Sequence, residues 1–241
     1  MTEQTIDYFS LGHPLTRLRS RFAWRARQRM FDLFMAHAGI GPDSRVLDLG
    51  VTPDTSLSES NHFEQVYPHP ERLTAASIEP VAGLAARFPK VNFVQIEPGP
   101  LPFADGEFDA CFCSAVIEHV GSRDSQAHFL AEIARVSRRF CITTPNRWFP
   151  LDFHTILPLI HWLPQPAHQR CLRALGKDFW AQTANLNLLG ARDLMAMSPP
   201  GIEAEVRRVR LAGWTSNLVF LGGRAPMPEA AVSRHNRTSS W

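Results

Sequence analysis

Two carboxylates stand at the ends of apolar runs early in the sequence, in a pattern typical of a cofactor site. Asp48 belongs to the run RVLDLG, and Glu79 closes the run LTAASIE. If both runs are strands of a parallel sheet, their carboxyl ends meet at one edge, where ligands bind at the reversal of strand order. A carboxylate there can accept hydrogen bonds from both hydroxyls of a ribose. The pattern indicates a nucleotide-like ligand, with a surface carboxylate or a helix N-cap as the alternative for Glu79.

The elements that would position these side chains alternate between buried strands and helices, which predicts a parallel α/β sheet. Strands are predicted at 46–49, 73–78, 91–96, 108–113, 140–143, 203–211 and 217–221. Helical periodicity predicts helices over 22–38, between the prolines at 80 and 89, after the cap candidates at 122 and 124, and over 191–197. No regular helix is expected directly after the first strand, where the sequence reads LSESNHFEQVYP.

Together with LPFADGEFDACFCSAVIEHV, these segments resemble the class I S-adenosylmethionine-dependent methyltransferases, in particular the type 11-like group related to the quinone and sterol enzymes. The resemblance implies a Rossmann-like α/β fold with a seven-stranded, mostly parallel sheet and helices on both faces. It also implies S-adenosylmethionine as the cofactor and methyl transfer as the reaction. One domain is expected over 1–223, with a helical cap at 1–40 and a substrate-lid insertion at 146–190. The polar segment 224–241 is expected to be disordered.

The resemblance implies five cofactor-binding residues, each near a strand end. Asp48 and Gly50 match the acidic and first glycine positions of the opening motif, near the methionine part of the cofactor. Glu79 faces the ribose, Glu97 stands where the family has an acid near the adenine amino group, and Ser114 directly follows the fourth strand. These enzymes usually continue with two more glycines after the first, whereas this chain continues VTPDTS. A methyltransferase fold that serves as a non-catalytic binding or scaffold protein is therefore the alternative.

Proton removal from a hydroxyl or amine acceptor needs a base, and two histidines are the candidates. His154 follows the exit of the fifth strand and lies two residues from Asp152, which would orient the imidazole if the chain is extended there. His119 is the second candidate, with a hydrogen bond to the loop after the fourth strand as its competing role. No metal is expected, because Glu118 and His119 alone make a poor cage for a hard cation.

The 146–190 insertion is strongly apolar, so it is expected either to pack as a lid or to form an apolar acceptor pocket or a membrane-contacting lobe. Six arginines between residues 17 and 29 form one face of the first helix. That face is either solvated on a helix covering the cofactor or in contact with an anionic surface. A small-molecule or lipid-linked acceptor, methylated at oxygen, is the preferred substrate.

The composition limits the remaining classes of function. The formal net charge is +2 and the segment after the fourth strand reads SAVI, so nucleic acid is not an expected partner. The four cysteines form no CxxC pair, and the first ten residues lack an apolar secretory core. A cytoplasmic protein is expected, with the inner face of the membrane as a peripheral location; the sequence does not predict its oligomeric state.

Overall fold

The computed structural model describes residues 16–56 and 60–224, with side chains from residue 23 onward. Its centre is a seven-stranded sheet in the order β3-β2-β1-β4-β5-β7-β6. The strands are β1 (Val46–Leu49), β2 (Leu73–Ser77), β3 (Asn92–Gln95), β4 (Phe108–Ser114), β5 (Ser137–Pro145), β6 (Ile202–Leu211) and β7 (Trp214–Arg224). The pairs among β1 to β5 are parallel, and β7 runs antiparallel to both β5 and β6. The predicted seven-stranded, mostly parallel sheet is confirmed.

Helices pack on both faces of this sheet, as predicted. On one face, α1 (Thr16–Ala38) buries Phe34 against Phe112 of β4, with ring centroids 5.4 Å apart. On the other face, α3 (Arg123–Val136) and α5 (Ala191–Ala196) bury Leu130 and Leu194. The remaining helices are α2 (His62–Val66) and α4 (Gln165–Ala174).

Helix ends follow the predicted local chemistry. Gly39 adopts φ +59° directly after α1, a conformation that glycine takes without a Cβ penalty. Ser122 caps α3, because its hydroxyl accepts a hydrogen bond from the amide of Ser125. Helix α1 begins six residues before its predicted start, at Thr16 instead of Phe22.

Two helix predictions were wrong. Between the prolines at 80 and 89 the structure has only the 3₁₀ turn Ala82–Ala86, since two prolines and the intervening Gly83 leave too short a stretch for a regular helix. After β1, where no helix was expected, the five-residue α2 forms. Its Phe63 packs in a stack on Phe112 and edge-to-face on Phe31 and Phe34, so tertiary contacts stabilise a helix that lacks a side-chain N-cap bond.

The 146–190 segment leaves the sheet after β5 and returns beside its own starting point. Asn146 forms an isolated parallel bridge with Leu189, and the amide of Asn187 donates to the carbonyl of Glu118 at 2.8 Å. Gln126 of α3 donates from its side-chain amide to the carbonyls of Ile117 and Asn187. The segment is therefore fastened at its base to the sheet and to α3.

Parts of both chain termini lie outside the residues that the structure describes. The first 15 residues of the expected 1–40 cap and all of the expected disordered tail except Arg224 lie there. Arg224 itself ends β7, and its guanidinium donates to the carbonyl of Ala134 at 3.2 Å. No helix among the described residues is long and apolar enough to cross a membrane.

Candidate active site

A cleft of about 2540 Å³ opens at the carboxyl ends of the parallel strands. β1 pairs with both β2 and β4, so the strand order reverses there and leaves a crevice. The lining comes from the strand ends, from α1 and from the start of the 146–190 segment. The volume exceeds the about 300–1,000 Å³ of a site for one small ligand. The cleft can therefore hold a cofactor and an acceptor side by side.

The methionine end of the expected cofactor site contains a pair of buried carboxyls. Asp48 of β1 is joined there by Glu64 of α2, and the two side chains are 7% and 5% exposed. Burial, together with the nearby Glu64 carboxyl, raises the pKa of Asp48 well above its usual range. Burial also raises the pKa of Glu64. The two carboxyls therefore hold a proton to a higher pH than isolated carboxyls do.

An aromatic wall stands beside this pair. The ring of Trp24 meets the edge of His62 at a centroid distance of 4.5 Å, and both line the cleft. Burial and the nearby Arg27 charge lower the pKa of His62 to about 4, although Asp32 opposes the shift. His62 is therefore a neutral ring at neutral pH. Arg25, Arg27 and Arg29 of α1 also line the cleft, which places part of the basic face over the site.

The loop after β1 is held by side chains in place of the missing glycines. Thr52 Oγ1 accepts from the amide of Asp54, and Asp54 Oδ1 accepts from the amide of Ser56. Asn61 donates from its side-chain amide to the carbonyl of Thr52 at 2.6 Å. These local bonds are typical of Asx and Ser/Thr turns, so side-chain hydrogen bonds shape residues 52–56, where the family usually has further glycines.

The backbone conformation and the close packing at position 50 both require a glycine. Its φ is +97°, and a Cβ at this position would lie 2.2 Å from Cγ2 of Val116. The amide of Gly50 donates to the carbonyl of Ala76 at 2.8 Å, which ties the loop to β2. The surviving glycine lets the loops after β1 and β4 approach each other.

The other predicted cofactor residues line the same cleft. Glu79 and Glu97 are exposed in it, two residues beyond the ends of β2 and β3. The amide of Glu79 donates to the hydroxyl of Ser77 at 3.2 Å, which orients the turn that carries the carboxylate. At the end of β4, Ser114 shares a hydrogen bond of 2.9 Å with the hydroxyl of Thr143.

Asp152 and His154 lie in contact, but through a turn and not through the extended chain that was expected. The amide of Ile156 donates to the carbonyl of Asp152, and Asp152 Oδ1 accepts from the amide of His154. The same oxygen lies 3.2 Å from Nδ1 of His154. Burial alone would raise the pKa of Asp152, yet hydrogen bonds from His154 and Thr155 and the charge of His154 lower it to about 2. An ionised Asp152 keeps the Nδ1 proton of His154 in place.

The second candidate base lies next to the first. The rings of His119 and His154 meet edge-to-face with centroids 4.9 Å apart. The carbonyl of Asn185 accepts from Nδ1 of His119 at 2.7 Å, so the Nε2 atom of His119 carries no proton in the neutral ring. His119 therefore lines the cleft, but its ring bonds to the 146–190 segment and not to the loop after β4 that was expected.

Glu118 is the acid that joins the two histidines. It is fully buried, and its Oε2 accepts from the hydroxyl of Thr144 at 2.9 Å. Its Oε1 has no hydrogen-bond donor and lies 3.8 Å from Nε2 of His154. Among the described residues, Glu118, His119 and His154 bring one donor atom each within 4.8 Å of one another. The absence of a metal stays a prediction, because the structure adds His154 to the pair judged insufficient from the sequence.

All eight predicted site residues meet in one region: seven line the cleft, and Asp152 stands behind His154. Sequence reasoning missed Glu64 and assigned Glu118 no role. For Glu64 the only signal is an acid inside the aromatic run HFEQVY, and nothing in that run shows which way the carboxyl points.

Comparison with solved structures supports the fold. The Burkholderia thailandensis 1,6-didemethyltoxoflavin-N1-methyltransferase, solved with 1,6-didemethyltoxoflavin and S-adenosylhomocysteine, is 18% identical; the alignment covers 90% of this chain and 93% of that one, with a TM-score of 0.54. The PH0226 protein of Pyrococcus horikoshii OT3 is 13% identical over 91% and 95% of the two chains, with a TM-score of 0.55. The N-methyltransferase NodS of Bradyrhizobium japonicum WM9, solved with S-adenosylhomocysteine, is 13% identical over 90% of each chain, with a TM-score of 0.50.

The sheet order and the strand-end cleft define the class I methyltransferase fold. Residues 59–140 match the family model Methyltransf_11, described as a methyltransferase domain. A search of curated proteins found no match. The family match begins after the altered loop, so it includes neither Asp48 nor Gly50.

Proposed function

We propose that this methyltransferase methylates a small-molecule acceptor, at an oxygen atom, with His154 as the proton acceptor. The observation that carries the proposal is the position of Nε2 of His154, in a cleft shared with the strand-end carboxylates and 3.8 Å from Oε1 of Glu118. S-Adenosylmethionine supplies the methyl group as an electrophilic carbon on a sulfonium. The chain's own residues align the acceptor, exclude water and take its proton.

The proton transfer follows from the hydrogen bonds around His154. In the neutral ring Nδ1 donates to Asp152, so Nε2 presents a lone pair to the acceptor. When Nε2 takes the acceptor's proton, the imidazolium lies between the carboxylates of Asp152 and Glu118. Both carboxylates lie close enough to make charge-assisted contacts with the protonated ring.

The proposed acceptor is apolar apart from its reacting group. Apolar side chains from the start of the 146–190 segment line the cleft near His154: Phe149, Leu151, Phe153 and Ile156. The rings of Phe149 and Phe153 stack with centroids 5.1 Å apart. We propose that this segment is the acceptor lid of a single 1–223 domain, and that a flat or aromatic molecule, not a nucleic acid, fits beneath it.

The first test is binding and turnover. Calorimetric titration with S-adenosylmethionine and S-adenosylhomocysteine, followed by methyl transfer to a panel of phenols and other hydroxylated aromatic compounds, should show micromolar-range binding and oxygen-methylated products. Methylation at nitrogen alone would contradict the choice of atom. Binding of neither adenosyl compound would favour the scaffold alternative.

Glu79 is expected to hold the ribose. Glu79→Ala should weaken S-adenosylmethionine binding by about 1.5–3 kcal/mol, the range for hydrogen bonds to a charged group. Glu71→Ala is the matched control, because Glu71 is an exposed acid just before β2, at the other end of the same strand. Equal affinities of the wild type and Glu79→Ala in calorimetry would remove Glu79 from the site.

A lipid-linked acceptor is the second candidate, favoured by the surface of the 146–190 segment. Six large apolar side chains are exposed there: Trp148, Ile156, Leu159, Leu163, Leu175 and Phe179. Such residues suit peripheral contact with the inner face of a membrane for a cytoplasmic enzyme. Flotation of the protein with anionic liposomes, lost in Leu159→Glu/Leu175→Glu, would support this source of acceptor; no flotation would favour a soluble one.

A further inference from the structure

Acidic and basic side chains of the cleft come from different parts of the fold. The acids lie on β1, on the loops after β1 to β3, and on α2 and α3: Asp48, Asp54, Glu64, Glu79, Glu97, Asp124 and Glu132. The arginines that line the cleft lie on α1 and at the end of β6: Arg25, Arg27, Arg29 and Arg210. Helix α1 contacts β4, β5, β6 and β7. The arginines therefore belong to the half of the sheet from which the 146–190 segment leaves.

The end of β6 lies beside the exit of that segment. Asn217 of β7 pairs with Pro145, the last residue of β5, on one side and with Val209 of β6 on the other. Val209 is therefore two strand spacings, about 10 Å, from the residue after which the 146–190 segment begins. Arg210 follows Val209 directly and lines the cleft. It borders the part of the cleft in which the acceptor is proposed to lie.

Three of these arginines have no acid partner among the residues that the structure describes. Arg25 and Arg29 are exposed one helical turn apart on α1, and neither they nor Arg210 form an ion pair there. Like charges at this helical spacing repel each other and destabilise the helix slightly. A bound anion removes this repulsion, and the planar guanidinium group matches the geometry of carboxylates and phosphates.

We propose that the acceptor carries an anionic group, a carboxylate or a phosphate, in addition to the hydroxyl that is methylated, and that Arg25, Arg29 and Arg210 bind this group. The inference rests on the proposed function and adds one charged group to the otherwise apolar acceptor. The cofactor carries positive charge on its sulfonium and ammonium groups, which suits the acidic side of the cleft. Cofactor and acceptor are thus separated by complementary charge, which favours the correct orientation of each.

Acceptors that differ only in charge test this proposal. Hydroxybenzoates and hydroxyphenyl phosphates should have a KM roughly 10–100-fold lower than the matching neutral hydroxybenzamides, the effect of one hydrogen bond to a charged group. The kcat values should be similar, because the anionic group lies away from the reacting hydroxyl. The benzoate and phosphate series together show which anion the arginines prefer.

Arginine variants locate the binding group. Arg210→Gln should raise the KM for the anionic acceptors roughly 10–100-fold and leave the KM for the neutral amides unchanged. Arg210→Lys should keep part of the preference, because it keeps the charge but not the fork of donors. Arg25→Gln/Arg29→Gln makes the same test on α1. Arg208→Gln is the matched control, since Arg208 is an exposed arginine of the same strand that does not line the cleft.

Four results would overturn the assignment. They are equal KM values for anionic and neutral acceptors in the wild type, a preference that survives in both arginine variants, an equal loss for both kinds of acceptor, and weaker binding of S-adenosylhomocysteine in calorimetry, which would assign the arginines to the cofactor. Loss of flotation with anionic liposomes in these variants, with unchanged acceptor kinetics, would assign them to lipid headgroups instead. Absence of methyl transfer to any hydroxylated compound by the wild type would overturn the proposed function itself, so the two failures are distinguishable.

Discussion

His154→Gln should lower the rate of methyl transfer roughly 10²–10⁴-fold, the range for loss of a general base. Glutamine fills much of the same space but cannot accept a proton at neutral pH. Cofactor affinity should stay within about twofold, because His154 belongs to the 146–190 segment and the cofactor residues lie on β1 to β4 and their loops. Single-turnover rates with saturating cofactor, beside calorimetry, separate the two effects.

Comparison with other histidine variants sharpens this prediction. His69→Gln is the matched control, since His69 lies outside the cleft and should leave the rate unchanged. An unchanged rate in His154→Gln with a large loss in His119→Gln would transfer the role to His119. Activity lost on chelator treatment and restored by a divalent cation would instead place a metal among Glu118, His119 and His154. Unchanged rates in both variants would mean that positioning alone suffices.

Gly50→Ala should destabilise the protein by about 2–4 kcal/mol. Two costs add: a non-glycine residue at φ +97° is strained, and its Cβ would lie 2.2 Å from Cγ2 of Val116. Denaturant unfolding measures the loss. Gly41→Ala is the control, because its added Cβ has no atom within 4 Å and its change should be small.

A double mutant separates the two costs. Adding Val116→Ala to Gly50→Ala removes the clashing methyl group but not the strain. The second substitution should therefore cost less in the Gly50→Ala protein than in the wild type. Additive effects of the two substitutions would show that the loops do not press against each other at this point.

The sequence predicted the sheet well because its strands carry local signals. β1, β2 and β4 are short apolar runs with the turn or helix signals between them that a parallel sheet needs, and three of the four cysteines lie buried in β4 and β5 as expected. The predicted cofactor residues line one cleft because each lies at the end of a strand or within two residues beyond it. This reasoning needs only the chain order and the rule that ligands bind at strand ends.

What the sequence missed depends on contacts between distant segments. Helix α2 has no strong local signal and forms because Phe63 packs among rings from α1 and β4. Glu64 belongs to this helix, and its carboxyl lies near Asp48, which no local sequence pattern indicates. The contact of Glu118 with His154 joins residues 36 positions apart in sequence, which no periodicity reveals.

The two ends of the 146–190 segment lie side by side, and this affects how the segment could be exchanged for another one. Because Asn146 and Leu189 are bridged, a different segment can be grafted between them without stretching the sheet. Such a graft would carry its own His154 and Asp152, while Glu118 and His119 remain with the sheet. With the roles proposed above, acceptor choice and proton acceptance would be inherited together, and a chimaera with a new acceptor would need a base that fits beside Glu118.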